Sequence, residues 1–209
     1  MPKTEENSLL NSYGIILLAA GQSARLGKPK QLLNYKGKTL LAHSLQIAIE
    51  TQLQPIVTVL GANLDTLKQS IEPTNTIIVI NQEWSEGMAS SIRCGIEELL
   101  KIVPSIAGVI IMVCDQPYVT AKLLTDLVEK HKDSSKPIIA SRYNNNIGTP
   151  ALFDKTIFAL LLSLKGDSGA KKIMKSNPDW VETVNFPFGE IDIDTSLDYE
   201  LLMKDFKNN

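Results

Sequence analysis

"GIILLAAGQSARLGKPKQLL" (Gly14–Leu33) begins as an apolar run and then breaks into small residues followed by cations. Gly14–Ala19 reads as a strand apolar on both faces, the pattern of a parallel strand covered by helices above and below. Pro55–Gly61, Thr76–Asn81, Gly108–Asp115 and Pro137–Ser141 share that pattern. Between these runs, Thr39–Thr51, "NLDTLKQSI", "MASSIRCGIEELLK" and "TAKLLTDLVEKHK" repeat apolar residues every three or four positions, with Thr39 and Thr120 placed as N-caps. "TPALFDKTIFALLLSL" and "SGAKKIMKS" read as later helices, and "VETVNF" as a late strand. The alternation predicts an α/β fold, a three-layer α/β/α sandwich. One domain over residues 13–203 is expected, with tails at 1–12 and 204–209.

In such sheets the ligand crevice lies beyond the carboxyl ends of the strands. The distinctive residues gather there. Ala19, Ala20 and Gly21 carry little side chain, so successive backbone N–H groups can approach an anion. Arg25, Lys28 and Lys30 follow within six positions. An arginine can fork across phosphate oxygens and a lysine supplies a compact charge. A turn with a solvated basic face is the alternative. The order matches neither GxxxxGK[ST] nor GxGxxG, so neither a P-loop nor a dinucleotide fingerprint is present. Asp115 ends an apolar strand, where its carboxylate could hold Mg²⁺ or bond locally to backbone before the following helix. In "EIDIDTSLDYELL", Glu190, Asp192 and Asp194 alternate and would share one face of an extended strand. They could hold a cation or simply be a solvated edge, and Asp198 favours a helix start. Ser90 and Ser91 fall in the first turn of a helix, where hydroxyls can contact a base or ribose. Trp84 and Met88 read as packing residues.

Composition sets limits. At 209 residues the chain can bury a sizeable core, and a formal net charge of −2 gives no electrostatic case for nucleic acid or an anionic membrane. The two cysteines, Cys94 and Cys114, form no ligand spacing and read as reduced thiols of a soluble, cytoplasmic protein. The apolar runs fall far short of the roughly 20 residues of a membrane span. Met1–Ser12 lacks the apolar core of a secretory signal.

Taken in order, "LAAGQSARLGKPKQLL", "NQEWSEGMASSIRCG", "CDQPYVT", "GTPALF", "LKGDSGAK" and "DIDTSLDY" resemble the molybdenum cofactor cytidylyltransferases, a branch of the MobA-like nucleotidyltransferases, from about Gly14 to Tyr199. The resemblance implies a Rossmann-like fold related to nucleotide-diphospho-sugar transferases, with a mainly parallel mixed sheet. It implies transfer of CMP from CTP to the terminal phosphate of molybdenum-bound molybdopterin, with release of pyrophosphate. A molybdoenzyme or its chaperone would receive the product. It places Leu18, Ala19, Ala20, Gly21, Gln22, Ser23, Lys30, Ser90 and Ser91 around the nucleotide, and Arg25, Lys30 and Asp115 at the chemistry. Asp115 and Asp194 would hold Mg²⁺, and Gly148, Thr149, Pro150, Gly166 and Asp167 would line the acceptor side. Leu26, Ala89, Thr149 and Lys171 stand where Met, Gly, His and Arg are usual, the last two in acceptor-facing segments. Ala20 favours CTP, because guanylyl members resemble LAGG at that place and a methyl narrows the pocket for a purine. The alternatives are a guanylyltransferase, a sugar- or alditol-phosphate nucleotidyltransferase on the same framework, and a non-catalytic protein that binds nucleotide or cofactor for a molybdoenzyme.

Overall fold

A computed structural model describes residues 13–71 and 76–208; the expected N-terminal tail lies outside them. In chain order the elements are β1 (Tyr13–Leu18), the short hairpin β2 (Asn34–Tyr35) and β3 (Lys38–Thr39), α1 (Leu40–Glu50), β4 (Ile56–Leu60), α2 (Leu64–Ser70), β5 (Ile77–Ile80) and α3 (Met88–Ile102). They continue with β6 (Gly108–Val113), α4 (Ala121–Asp133), β7 (Ile138–Tyr143), β8 (Asn146–Asp154), α5 (Phe158–Leu162), α6 (Lys171–Ser176), β9 (Val181–Asn185) and α7 (Ser196–Asn208).

Among the described residues, seven strands form one sheet in the order β5-β4-β1-β6-β8-β7-β9. β5, β4, β1 and β6 run parallel, β8 is antiparallel to both of its neighbours, and β9 is parallel to β7. The sheet is therefore mixed and mainly parallel. Alternate residues of β1 serve opposite faces. Ile16 and Leu18 pack with Ile92, Ile96 and Leu99 of α3, whereas Ile15 and Leu17 pack with Leu41 and Leu45 of α1 and Leu124 and Leu127 of α4. That two-sided burial is what the unbroken apolar strands encode. Thr39 and Thr120 cap α1 and α4 as expected, their hydroxyls accepting from the Ala42 and Leu123 N–H groups.

The structure departs from the expected pattern in four places. The run "TPALFD" is not helical: it completes β8, and only Phe158–Leu162 forms α-helix in that stretch. Ala151, Leu152 and Phe153 lie in the sheet interior between β6 and β7, and a short apolar run buried on both sides carries no period to separate strand from helix. Residues 190–195 form no strand. β5 is not covered on both faces either, because it is the sheet edge and leaves Ile77 and Ile78 exposed. At the other end of the chain, α7 runs on to Asn208, into the segment expected as a C-terminal tail. Among the described residues no helix is long and apolar enough to cross a membrane.

Candidate active site

β1, β4, β5 and β6 deliver their carboxyl ends to one edge of the sheet, and the loops that follow build a cleft of about 450 Å³. One wall is Leu18, Ala19, Ala20, Gly21 and Gln22, with Lys30 behind them. Asp115 closes the floor, and Trp84, Gly87, Met88, Ser91 and Asp167 form the facing wall. The backbone must approach closely at two glycines. A Cβ at Gly61 would stand 2.5 Å from Trp84 Cβ and 2.9 Å from the Ala20 methyl. One at Gly87, whose φ of 121° is itself a glycine conformation, would overlap an Asp167 carboxylate oxygen.

Lys30 is the centre of the charge arrangement. Its Nζ donates to Asp115 Oδ2 at 2.5 Å and to Asp194 Oδ1 at 2.9 Å, and Arg25 Nη2 donates to Asp194 Oδ2 at 2.7 Å. Asp194 reaches this point because residues 190–195 dock on the end of β6: the Ile193 N–H donates to the Asp115 carbonyl at 3.0 Å and the Ile193 side chain is fully buried. Asp198 then accepts from the Asp194 and Thr195 N–H groups and holds the start of α7. Burial works against the charge on Lys30, yet Asp115 and Asp194 raise its pKa. Burial also opposes ionisation of Asp194, but Lys30 and Arg25 hold its carboxyl below the usual range. Asp192 is the opposite case: desolvation, with the repulsion of Asp115 and Asp194, lifts its pKa to about 6. Burial likewise pushes the Cys114 thiol up to about 12, so that cysteine is inert packing at the cleft floor.

The remaining candidates are distributed as follows. Ser91 faces the cleft, but Ser90 does not. The Ser90 hydroxyl is turned back into the protein, bonded to the Asn81 amide and to the Glu83 and Gly87 carbonyls, where it fixes the turn before α3. Ser23 sits behind the loop and accepts from the Lys30 N–H. Gly166 packs against Gly87, and its carbonyl accepts from the Ala89 N–H. Gly148, Thr149 and Pro150 belong to β8 rather than to the cleft wall; since β8 is antiparallel to β6, they lie toward the same edge of the sheet as Asp115.

Sequence reasoning misses four contributors. Gln31 is 1% exposed and bonds the Ala19 and Gly21 carbonyls. Asn81 donates to both Ser90 and Ser91. Glu86 and Arg93 clamp the loop that carries Asp167: Arg93 donates to the Leu164 carbonyl and to Glu86, and Glu86 accepts from the Gly166 N–H. Those bonds depress the Glu86 pKa to about 2. Adjacency is the one signal the sequence offers for them: Gln31 follows Lys30, and Glu86 precedes the glycine at the head of α3.

The donor set suits a divalent cation. Among the described residues no three His, Cys, Asp or Glu side chains are arranged to hold a metal ion. Mg²⁺ needs fewer, because it takes one or two carboxylates and shares the rest with water and phosphate. Asp115 supplies such a donor: its Oδ1 is buried and has no hydrogen-bond partner among the described residues. An orphaned carboxylate oxygen at the floor of a cleft is costly unless something cationic completes it. The residues fit the group.

The strand ends of this α/β sheet thus present a small-residue loop, a lysine and two converging carboxylates at one cleft. Residues 15–181 match the MobA-like NTP transferase domain, and the chain belongs to that family. Among curated relatives, nicotine blue oxidoreductase of Paenarthrobacter nicotinovorans is 29% identical, covering 86% of this chain and 91% of its own. A probable molybdenum cofactor guanylyltransferase of Bacillus anthracis is 26% identical over 95% of this chain and all of its own. Rv0371c of Mycobacterium tuberculosis superimposes with a TM-score of 0.82 at 29% identity, covering 93% of this chain and 98% of that one. A structure of Rv0371c in complex with manganese superimposes with a TM-score of 0.78 at 27% identity, over 93% and 99% of the two chains.

Proposed function

We propose that the protein transfers CMP from CTP to the terminal phosphate of molybdenum-bound molybdopterin. The observation that carries the reading is the convergence of Lys30, Arg25, Asp115 and Asp194, from distant parts of the chain, beside the Ala-Ala-Gly loop. An acceptor phosphate oxygen attacks the α-phosphorus in line; a new P–O bond forms there, the bond to the β-phosphate oxygen breaks, and pyrophosphate leaves. The attacking oxygen is already anionic, so no general base is required. The loop backbone and Lys30 orient the triphosphate, and Lys30 and Arg25 neutralise charge that grows on the leaving oxygens. Bound Mg²⁺ would supply further charge neutralisation, held by Asp115 with Asp194; the manganese complex of Rv0371c supports a divalent cation here.

Ala20 supports a pyrimidine. It is 5% exposed and lines the cleft together with Trp84. A guanylyltransferase is the second reading, favoured by the name of the Bacillus anthracis relative. Pyrophosphate release measured with CTP, GTP, ATP and UTP, each with and without molybdopterin and Mg²⁺, decides the matter. CTP with molybdopterin should give the highest rate. A preference for GTP would move the protein to the guanylyl branch, and binding without turnover of any nucleotide would make it an accessory protein.

A further inference from the structure

We infer that Gln31 is the positioning residue that sets which way the nucleotide loop faces. The inference rests on the transfer reading above only for its ligand, a triphosphate. All three carbonyls of the Ala19-Ala20-Gly21 loop are tied down. The Gln31 side-chain amide donates from Nε2 to the Ala19 and Gly21 oxygens, both at 2.9 Å, and the Ala62 N–H donates to the Ala20 oxygen at 3.0 Å. The peptides of this loop are trans. In a planar trans peptide the C=O and the following N–H point in opposite directions. Fixing the oxygens of residues 19, 20 and 21 therefore turns the N–H groups of Ala20, Gly21 and Gln22 the other way. None of those three N–H groups donates to another group among the described residues. They form a run of free donors on a loop that lines the cleft.

The polarity of the Gln31 amide is fixed as well. Its Oε1 accepts from the Ser23 hydroxyl at 3.4 Å, and that hydroxyl oxygen accepts from the Lys30 N–H at 3.0 Å. The amide therefore ties the loop to the backbone of the residue whose ammonium pairs with Asp115. At 1% exposure it is screened from water, so the two bonds to carbonyls have no solvent competitor. A neutral donor is required at Nε2: a glutamate there would present an acceptor to two carbonyls, and a methionine of similar length would present nothing.

Titration of inorganic tripolyphosphate into the full-length protein, followed by the backbone amide resonances, tests this without any transfer reaction. In the parent protein the Ala20, Gly21 and Gln22 amides should shift on binding. In Gln31→Met the tripolyphosphate Kd and the KM for CTP should each rise about tenfold or more, while kcat at saturating CTP stays within about threefold. Gln31→Glu should be weaker still. A purely structural role would lower the melting temperature and leave KM in place. Parent-like Kd and KM in a folded Gln31→Met would overturn the inference. So would a parent protein whose three loop amides do not respond to tripolyphosphate, a result that stands even if the variant does not fold. If the amides respond and no nucleotide yields pyrophosphate, the transfer reading fails and the role of Gln31 survives.

Discussion

Replacing Asp192 with asparagine should stabilise the protein at neutral pH and leave it unchanged in acid. Asp192 is forced to share a partly desolvated corner with Asp115 and Asp194, and its pKa rises from an ordinary 3.8 to about 6. That is a displacement of about two units, and at about 1.4 kcal/mol per unit it sets a ceiling near 3 kcal/mol. Asp192 keeps a substantial part of its surface in solvent, and screening roughly halves the figure, to about 1–2 kcal/mol. Below pH about 4 the carboxyl is protonated in both folded and unfolded chains and contributes nothing. Between about 4 and 6 the unfolded chain has released its proton while the folded chain still holds it, so stability falls as pH rises. Above about 6 the loss is complete. In Asp192→Asn the side chain carries no charge at any pH, and its amide can still bond Gln116, which now interacts with Asp192. Urea unfolding of both proteins at several pH values from about 3.5 to 8 should show a gap that opens with pH and favours the variant by about 1–2 kcal/mol at the alkaline end. A gap of equal size at both ends, or a variant weaker than the parent in alkali, would refute the reasoning.

Other substitutions address separate parts of the cleft. Lys30→Met should reduce pyrophosphate release from CTP by about a hundredfold or more, because a preorganised charge is lost at the phosphates; turnover near the parent rate would take Lys30 out of the chemistry. Arg93→Met removes the clamp on the loop carrying Asp167 and should raise KM for the acceptor about tenfold without changing KM for CTP. Equal effects on both substrates would place that loop on the nucleotide side instead. Gly61→Ala should destabilise the fold by about 1–3 kcal/mol in urea unfolding, since its methyl would meet Trp84 Cβ at 2.5 Å. Parent-like stability would mean that the Trp84 loop yields freely.

The parts of this molecule that are legible in the sequence are those set by local pattern. β1, β4 and β6 declare themselves as doubly covered strands because they are almost wholly apolar, and Thr39 and Thr120 declare two helix starts. β8 escapes such reading because Ala151–Phe153 is three buried residues long in either conformation, and pairing with β6 and β7 makes the choice. The site is legible as a set of residues but not as a geometry. Lys30 and Asp194 stand 164 positions apart, and what joins them is Ile193, whose N–H bonds the Asp115 carbonyl and whose side chain is buried with Leu26, Leu33 and Leu40, which no spacing rule announces. Ser90 and Ser91 are indistinguishable in sequence; the Asn81 amide and the turn at Gly87 leave only one of them facing the cleft. Gln31 is silent for the same reason, since its partners are backbone carbonyls and backbone has no letter.

The central claim is that Asp115, with one carboxylate oxygen on Lys30 and the other orphaned, belongs to a nucleotidyl-transfer centre. Asp115→Asn keeps the shape of that side chain and removes its charge. The most direct measurement is pyrophosphate release from CTP with molybdopterin and Mg²⁺ by this variant, alongside its melting curve. The account predicts a loss of about a hundredfold or more in rate with the fold retained; a folded Asp115→Asn that releases pyrophosphate at the parent rate would contradict it.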